Sequence, residues 1–282
     1  MMPDYLSCLL LWISVFVLYS SKKSLVHFLI AGIILGASTL IRPTHLLLPL
    51  IFILIIYLIT NFKKRFVHFT LFLAGFLIVI SPWLFRNYAL FKSFPVVATN
   101  GGFNFLMWNH PGSSGKVNFD FNYNIKNPNE ADEQNKAYLS GLKSIIENPI
   151  SAFVRSFKKV FFSYYRGDSS ITWLFKGNTN YNNPVLISSL FFLSNYYHYL
   201  IIYFSMIGFI KFLKLCFQKE LLFILFTLFI YYLLIILVFV GNERYLISIL
   251  PIHFLAAVAN FNKWYCKKRQ RKLLIGFQAI QS

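Results

Sequence analysis

Arg42, Arg86 and Arg244 each stand at the end of a long apolar run and have polar residues beside them. A guanidinium group can hold a phosphate through two parallel hydrogen bonds, a geometry that lysine cannot match. Each arginine taken alone is also explained by snorkelling toward lipid headgroups. Because the pattern recurs at three run ends, it favours an anionic ligand at a membrane surface, and a lipid-linked phosphate fits that description best.

Asp4 is the carboxylate that precedes the first apolar run. A carboxylate there could bind a divalent metal ion, contact a phosphate through that metal, or accept a proton. A solvated charge near a chain terminus is the simpler explanation of this residue by itself. His45 has no second histidine at a metal-binding spacing, so we expect it to bond a backbone carbonyl or to face headgroups.

A polar stretch after the fourth apolar run carries residues that suit a sugar or an acceptor. The pair Gly101-Gly102 between asparagines permits a tight turn with positive φ, which would leave backbone N–H groups free for an anion or a hydroxyl. Trp108 could stack on a sugar ring, although tryptophan is ordinary at membrane interfaces. The candidate sugar- or acceptor-binding residues are Asn100, Gly101, Gly102, Asn104, Asn109, His110 and Tyr245.

The elements that must position these residues are long and apolar. The chain has 282 residues, of which 57% are hydrophobic and only 13% are charged, so it is typical of a polytopic membrane protein. We expect a mainly α fold with about seven transmembrane helices and one extracytoplasmic α-rich domain. The apolar runs lie at about 5–20, 25–41, 45–61, 66–86, 185–212, 221–240 and 244–260. The expected domains are 1–86, the loop domain 87–184, a second membrane part 185–262 and a basic cytoplasmic tail 263–282.

Lysine and arginine cluster in every second gap between the runs. The clusters lie at 22–23, 63–65, 211–219 and 263–272, and short loops rich in these residues stay in the cytoplasm. This alternation predicts an outside N-terminus, a cytoplasmic C-terminus and an extracytoplasmic position for the candidate residues. The formal net charge of +18 therefore sets topology and contacts lipid, and it does not indicate a nucleic-acid partner.

Two helices are predicted inside the loop domain. Asn129 is a suitable N-cap for a helix over 130–147, and Pro149 ends it. A second helix over 150–165 would place Phe153, Phe157 and Phe161 opposite basic residues such as Lys159. An apolar face with a basic counter-face suits a helix lying at the bilayer surface, and packing on the rest of the loop explains it equally well.

The order of short motifs along the chain resembles the polytopic glycosyltransferases of the C-type superfamily. The group concerned is the protein-mannosyltransferase-like and aminoarabinose-transferase-like one. The resemblance covers nearly the whole chain. The motifs that carry it are Arg42-Pro43-Thr44, Pro82-Trp83, Arg86-Asn87-Tyr88, Thr99-Asn100-Gly101-Gly102, Asn109-His110-Pro111, Glu147-Asn148-Pro149, Glu243-Arg244-Tyr245 and Pro251.

This resemblance implies transfer of a sugar from a polyprenyl-phosphate donor to a cell-envelope acceptor (glycan, lipid or protein) on the outer face of a bacterial inner membrane. Asp4 resembles an acidic position that serves the family as base and metal ligand, with a divalent cation as cofactor. Arg42, Arg86 and Arg244 resemble its phosphate-binding positions. Family members have further spans and an acidic loop before the point where this chain begins, so we expect an N-terminally truncated form, which would be an inactive fragment or half of a split enzyme.

Other functions remain open at the level of sequence. An envelope polysaccharide polymerase or ligase also combines many spans with a large outer loop, and it would use a diphosphate-linked oligosaccharide. A lipid-sugar transporter needs polar groups along a midplane path and commonly internal repeats, neither of which the sequence shows. A non-catalytic membrane subunit is the third alternative.

Overall fold

The computed structural model describes residues 2–20, 24–92, 97–115, 129–176, 183–216 and 220–258. In these ranges the chain is helical and forms no strand. The helices are α1 (Met2–Ser20), α2 (Leu25–Ile41), α3 (Leu48–Ile59), α4 (Phe62–Phe91), α5 (Gly101–Asn109), α6 (Glu130–Glu147), α7 (Pro149–Tyr165), α8 (Ser169–Lys176), α9 (Pro184–Cys216) and α10 (Glu220–Val238). The segments Pro43–His45 and Glu243–Ile249 are 3₁₀ helices, and residues 250–258 are helical.

Four helices of the described ranges are long and apolar enough to cross a membrane. They contain Pro3–Ser20, Phe62–Phe91, Pro184–Ile210 and Glu220–Val238. The predicted second and third spans are shorter. Helix α2 has 17 residues, and α3 has 12 residues and extends only about 18 Å at 1.5 Å per residue. The predicted seventh span begins as the 3₁₀ segment Glu243–Ile249 and becomes α-helical only at 250–258. The mainly helical architecture is thus confirmed and contains four candidate membrane spans, whereas seven spans are not confirmed.

The chain divides into two compact units. The first comprises Met1–Tyr165 and Ile230–Ser248, and the second comprises Arg166–Phe229 and Ile249–Ser282. The loop helices α5–α7 therefore belong to the same unit as α1–α4. The predicted basic tail 263–282 lies outside the described residues.

Close backbone contact joins α2 and α4 in the first unit. A Cβ atom at Gly32 would lie 2.0 Å from the carbonyl oxygen of Phe72, and one at Gly75 would lie 2.2 Å from that of Leu29. Glycine at both positions is what allows two apolar helices to approach so closely. The contact fixes the position of α2, and it therefore also fixes the position of Arg42, which follows the last residue of α2.

The predicted loop helices 130–147 and 150–165 are confirmed as α6 and α7. Asn129 caps α6, since its side-chain oxygen accepts from the N–H of Ala131 at 3.1 Å. The amide group of Asn129 also donates to the carbonyl of Phe91 at 2.9 Å, which attaches the start of α6 to the end of α4. A Cβ atom at Gly102 would lie 2.1 Å from the carbonyl oxygen of Gln134, so α5 packs tightly on α6.

The second unit is held by a smaller set of polar contacts. The Asp168 carboxylate accepts from Arg166 at 2.9 Å and from the amide of Asn195 at 2.8 Å. Ser205 and His253 share a hydrogen bond of 2.8 Å between the hydroxyl and Nδ1.

Candidate functional site

Asp4, Arg42 and Arg244 form one charged cluster in the first unit, which we call the arginine clamp. Asp4 lies in the first turn of α1 and is only 3% exposed. Its Oδ2 atom accepts from Nε and Nη2 of Arg244 at 3.1 and 2.9 Å, and its Oδ1 atom contacts Nη2 of Arg42. Two guanidinium groups against one carboxylate leave the clamp with a net charge of +1.

Local backbone structure places the two arginines. Arg42 follows α2 in an extended conformation, with φ −135° and ψ 107°, and Pro43 begins the 3₁₀ segment after it. Arg244 lies in the first turn of the segment Glu243–Ile249, and its N–H donates to Oδ1 of Asn242 at 3.0 Å.

A buried hydrogen-bond chain keeps α1, α2 and the first 3₁₀ segment in register. The Ser38 hydroxyl donates to the carbonyl of Ser7 at 2.8 Å and lies 2.6 Å from Nδ1 of His45. Because the hydroxyl has one hydrogen, Nδ1 of His45 is the donor in the second contact. His45 is 1% exposed, so it supports the site from within rather than facing headgroups.

A cavity of about 430 Å³ opens beside Arg42. This volume lies in the range of small-molecule sites, about 300–1,000 Å³. The guanidinium carbon of Arg42 is 5.6 Å from the centre of the Tyr245 ring, and both residues line the cavity. Its other polar lining residues include Thr44, Asn100, Asn104, Gln134, Asn135 and Tyr138, and its apolar ones include Leu46, Leu47, Ile235, Phe239 and Val240.

Burial acts on the charge of Arg42. Removal from water lowers the pKa of Arg42 from its usual value, and the neighbouring Arg244 acts in the same direction. An arginine stays protonated at neutral pH even so, because its ordinary pKa exceeds 12. The carboxylate of Asp4 compensates the positive charge of Arg42. An anion bound in the cavity would compensate the remaining positive charge of the clamp.

The predicted glycine turn is an N-terminal helix turn in the structure. Gly101 and Gly102 begin α5, and Gly115 is the glycine with positive φ in the described part of the chain. The N–H of Gly101 donates to Oε1 of Gln134 at 2.9 Å, so it is not available to an anion. A Cβ atom there would lie 2.3 Å from the Tyr138 hydroxyl. Gly101 lines the cavity, and the pair serves mainly to let α5 approach α6.

Arg86 lies apart from the cavity lining. It is exposed, donates to Oδ1 of Asn87 at 3.0 Å, and stacks over the Trp83 ring with 4.6 Å between guanidinium carbon and ring centre. The structure therefore joins Arg42 and Arg244 through Asp4 and leaves the third predicted arginine elsewhere.

Asn109 connects the loop domain to α10, and neither Asn109 nor His110 lines the cavity. Asn109 is buried and donates to the carbonyls of Phe105 at 2.8 Å and Val238 at 3.0 Å. Its Oδ1 accepts from Nζ of Lys159 at 2.8 Å. Nδ1 of His110 accepts from the N–H of Gly112 at 3.1 Å.

Sequence reasoning missed the contribution of α6 to the cavity. Gln134 and Tyr138 are four residues apart and so share one face of the helix, with Asn135 beside them. That spacing is visible in the sequence. What the sequence did not provide was the partner helix. The packing of α5 on this face, where Gly101 and Gly102 allow a close approach, is a tertiary contact that no local pattern reports.

The setting of Asp4 does not suit a divalent metal ion. Both of its carboxylate oxygens face guanidinium groups, and a further cation there would be repelled. Across the described ranges, no three His, Cys, Asp or Glu side chains come close enough to share a metal ion.

Comparisons of the chain with protein-family models, with curated proteins and with solved structures give no match. The fold and the cavity alone define the class of protein. It is a helical protein with candidate membrane spans and a cationic, partly apolar cavity.

Proposed function

We propose that this protein is a membrane glycosyltransferase of the C-type kind. It moves a sugar from a polyprenyl-phosphate donor to a cell-envelope acceptor on the outer face of a bacterial inner membrane. The observation that carries the proposal is the double role of Arg42, which bonds the buried Asp4 in the arginine clamp and also lines the cavity.

The charge of the clamp matches the linkage of the proposed donor. A sugar joined to a polyprenol through one phosphate has a single negative charge, and the clamp has a net charge of +1. The acceptor's oxygen bonds the sugar as the bond between the sugar and the phosphate breaks, and a second negative charge develops on the departing phosphate. The acceptor's proton leaves to water or to that phosphate. A fixed guanidinium that is already oriented stabilises that charge without rearranging.

The composition of the cavity lining supports a sugar attached to a lipid. The amide groups of Asn100, Asn104 and Gln134 offer donors and acceptors suited to hydroxyl groups. The apolar side chains of Leu47 and Phe239 suit the first isoprene units of the carrier.

In this proposal Asp4 is a positioning residue. Because both of its oxygens already bind arginines, we assign it to holding Arg42 and Arg244 in place rather than to accepting a proton. No step passes through a metal ion.

The proposal includes the predicted topology, with seven passages through or into the membrane and α5–α7 outside. Cysteine labelling of intact cells tests it. A membrane-impermeant maleimide should modify a single cysteine at position 143 and spare one at position 64. The opposite result would invert the orientation.

Donor binding tests the role of Arg42 in holding the phosphate. The full chain is reconstituted in vesicles with a polyprenyl-phosphate hexose that has tritium in the sugar. Since a hydrogen bond to a charged group contributes about 1.5–3 kcal/mol, Arg42→Gln should weaken binding by about tenfold or more. Arg65→Gln is the matched control. Arg65 lies in the first turn of α4, stacks on Tyr57 and does not line the cavity.

Each outcome separates the alternatives. Equal binding by the Arg42 variant and the wild type would reject the phosphate assignment. Binding of a polyprenyl-diphosphate oligosaccharide in preference to the monophosphate would favour a polymerase or ligase. Binding without transfer of the label to an envelope extract would favour a non-catalytic subunit or a transporter.

A further inference from the structure

Helix α7 is amphipathic in the reverse sense to an ordinary surface helix. Arg155, Lys159 and Ser163 lie on its buried face, and each is at most 3% exposed. The opposite face is large, apolar and open, with exposures between 52% and 82%. Its residues are Ile150, Phe153, Phe157, Phe161 and Tyr165, which we call the α7 apolar face.

The polar face of α7 is buried because it bonds the end of α10. Nζ of Lys159 donates to Oδ1 of Asn109 at 2.8 Å and to the carbonyls of Val238 at 3.0 Å and Leu237 at 3.3 Å. The last carbonyls of a helix lack partners within it, and a cation at that end also meets the negative end of the helix dipole. Lys159 thus caps the C-terminal end of α10, whose own last turn has no basic residue.

The same contact fixes the depth of α7. Helix α10 is a candidate span of 19 residues, or about 28 Å, which is close to the thickness of the hydrocarbon layer of about 30 Å. Its last residue, Val238, therefore lies near the boundary between hydrocarbon and headgroups. Since Lys159 bonds Leu237 and Val238 directly, α7 is held at that boundary.

We propose that α7 lies in the plane of the membrane interface, with the α7 apolar face inserted into the leaflet where α10 ends. Phenylalanine and tyrosine are typical of this region. Lys158 is exposed beside the apolar face and suits the phosphate level of the same leaflet. The proposal does not depend on whether the cavity transfers a sugar.

Spin labels measure the depth directly. In a full chain whose three cysteines are replaced by alanine, Phe157→Cys and Phe161→Cys receive a nitroxide label in separate variants. Lys143→Cys is the control, because Lys143 is an exposed charged residue of α6 whose side chain is 75% accessible. The proteins are reconstituted in vesicles of phosphatidylcholine with phosphatidylglycerol, and collisions with oxygen and with a water-soluble nickel chelate are compared.

We expect the labels at 157 and 161 to favour oxygen over the nickel chelate and to lie about 5–10 Å below the headgroup level. The label at 143 should favour the nickel chelate. If the labels at 157 and 161 behave like the control, the apolar face is in water and the proposal is wrong. If neither reagent reaches the labels at 157 and 161, and if the spectra are broadened by labels on neighbouring chains, a second copy of the chain covers the apolar face. That result would also show the proposal to be wrong. Val154→Cys, also on the exposed side, replaces either variant that fails to reconstitute.

Discussion

Replacement of Asp4 by asparagine tests the arginine clamp most directly. The substitution keeps the size of the side chain and removes the charge that lies between Arg42 and Arg244. Loss of one partner from a buried ion pair costs about 3–5 kcal/mol, because it leaves the other charge uncompensated. Arg42 and Arg244 are 18% and 33% exposed, so water relieves part of this cost. We therefore expect a loss near the lower limit, about 3 kcal/mol.

The free energy of unfolding of the full chain can be measured in mixed micelles by titration with sodium dodecyl sulfate. Glu147→Gln is the control, since Glu147 pairs with Lys143 on the surface at 3.7 Å and such pairs contribute at most about 1 kcal/mol. The double variant Asp4→Asn with Arg244→Gln should recover about 1 kcal/mol, because one of two neighbouring like charges is removed. A cost below 1 kcal/mol for Asp4→Asn, or no recovery in the double variant, would refute the clamp.

Three further predictions concern other residues of the first unit. Burial lowers the pKa of Lys159 to about 8 from 10.5, so the unfolded chain binds the proton more tightly. The folded protein should gain up to about 3 kcal/mol as the pH rises from 8 to 10.5, and Lys159→Met should abolish this gain in unfolding measurements at several pH values. Arg86→Gln should bind the polyprenyl-phosphate hexose as wild type does, because Arg86 does not line the cavity; a tenfold loss would restore its predicted role. Tyr138→Phe should weaken binding of the hexose-bearing lipid about fivefold but leave sugar-free polyprenyl phosphate unaffected, and equal losses for both lipids would remove Tyr138 from sugar binding.

Short-range signals in the sequence predicted the loop helices well. Asn129 as N-cap and Pro149 as helix breaker act on residues within one turn, and α6 spans Glu130–Glu147 as predicted. The orientation of these helices was not predictable in the same way. The pattern of apolar residues indicated one face, yet the faces that pack inward have small or polar residues, such as Gly141 on α6 and Lys159 on α7.

In the candidate site, too, the local features were predictable from the sequence and the contacts between distant residues were not. Arg42 and Arg244 were recognised because charge at the end of an apolar run is conspicuous in sequence. Their connection through Asp4 joins positions up to 240 residues apart, which no local pattern reports. Arg86 also stands at the end of an apolar run, yet it does not line the cavity. The sequence pattern therefore identifies candidate arginines but does not predict which of them contact one another.

The sequence by itself determined the class of this protein and the bounds of its loop helices, because hydropathy, capping and proline act locally along the chain. Only the tertiary structure decided that two of three similar arginines share one carboxylate, that paired glycines serve helix packing, and that α7 turns its cations inward. The physical reason is that a buried charge takes whichever partner the packing brings within hydrogen-bond reach. For Lys159 this partner is the end of a helix 78 residues further along the chain.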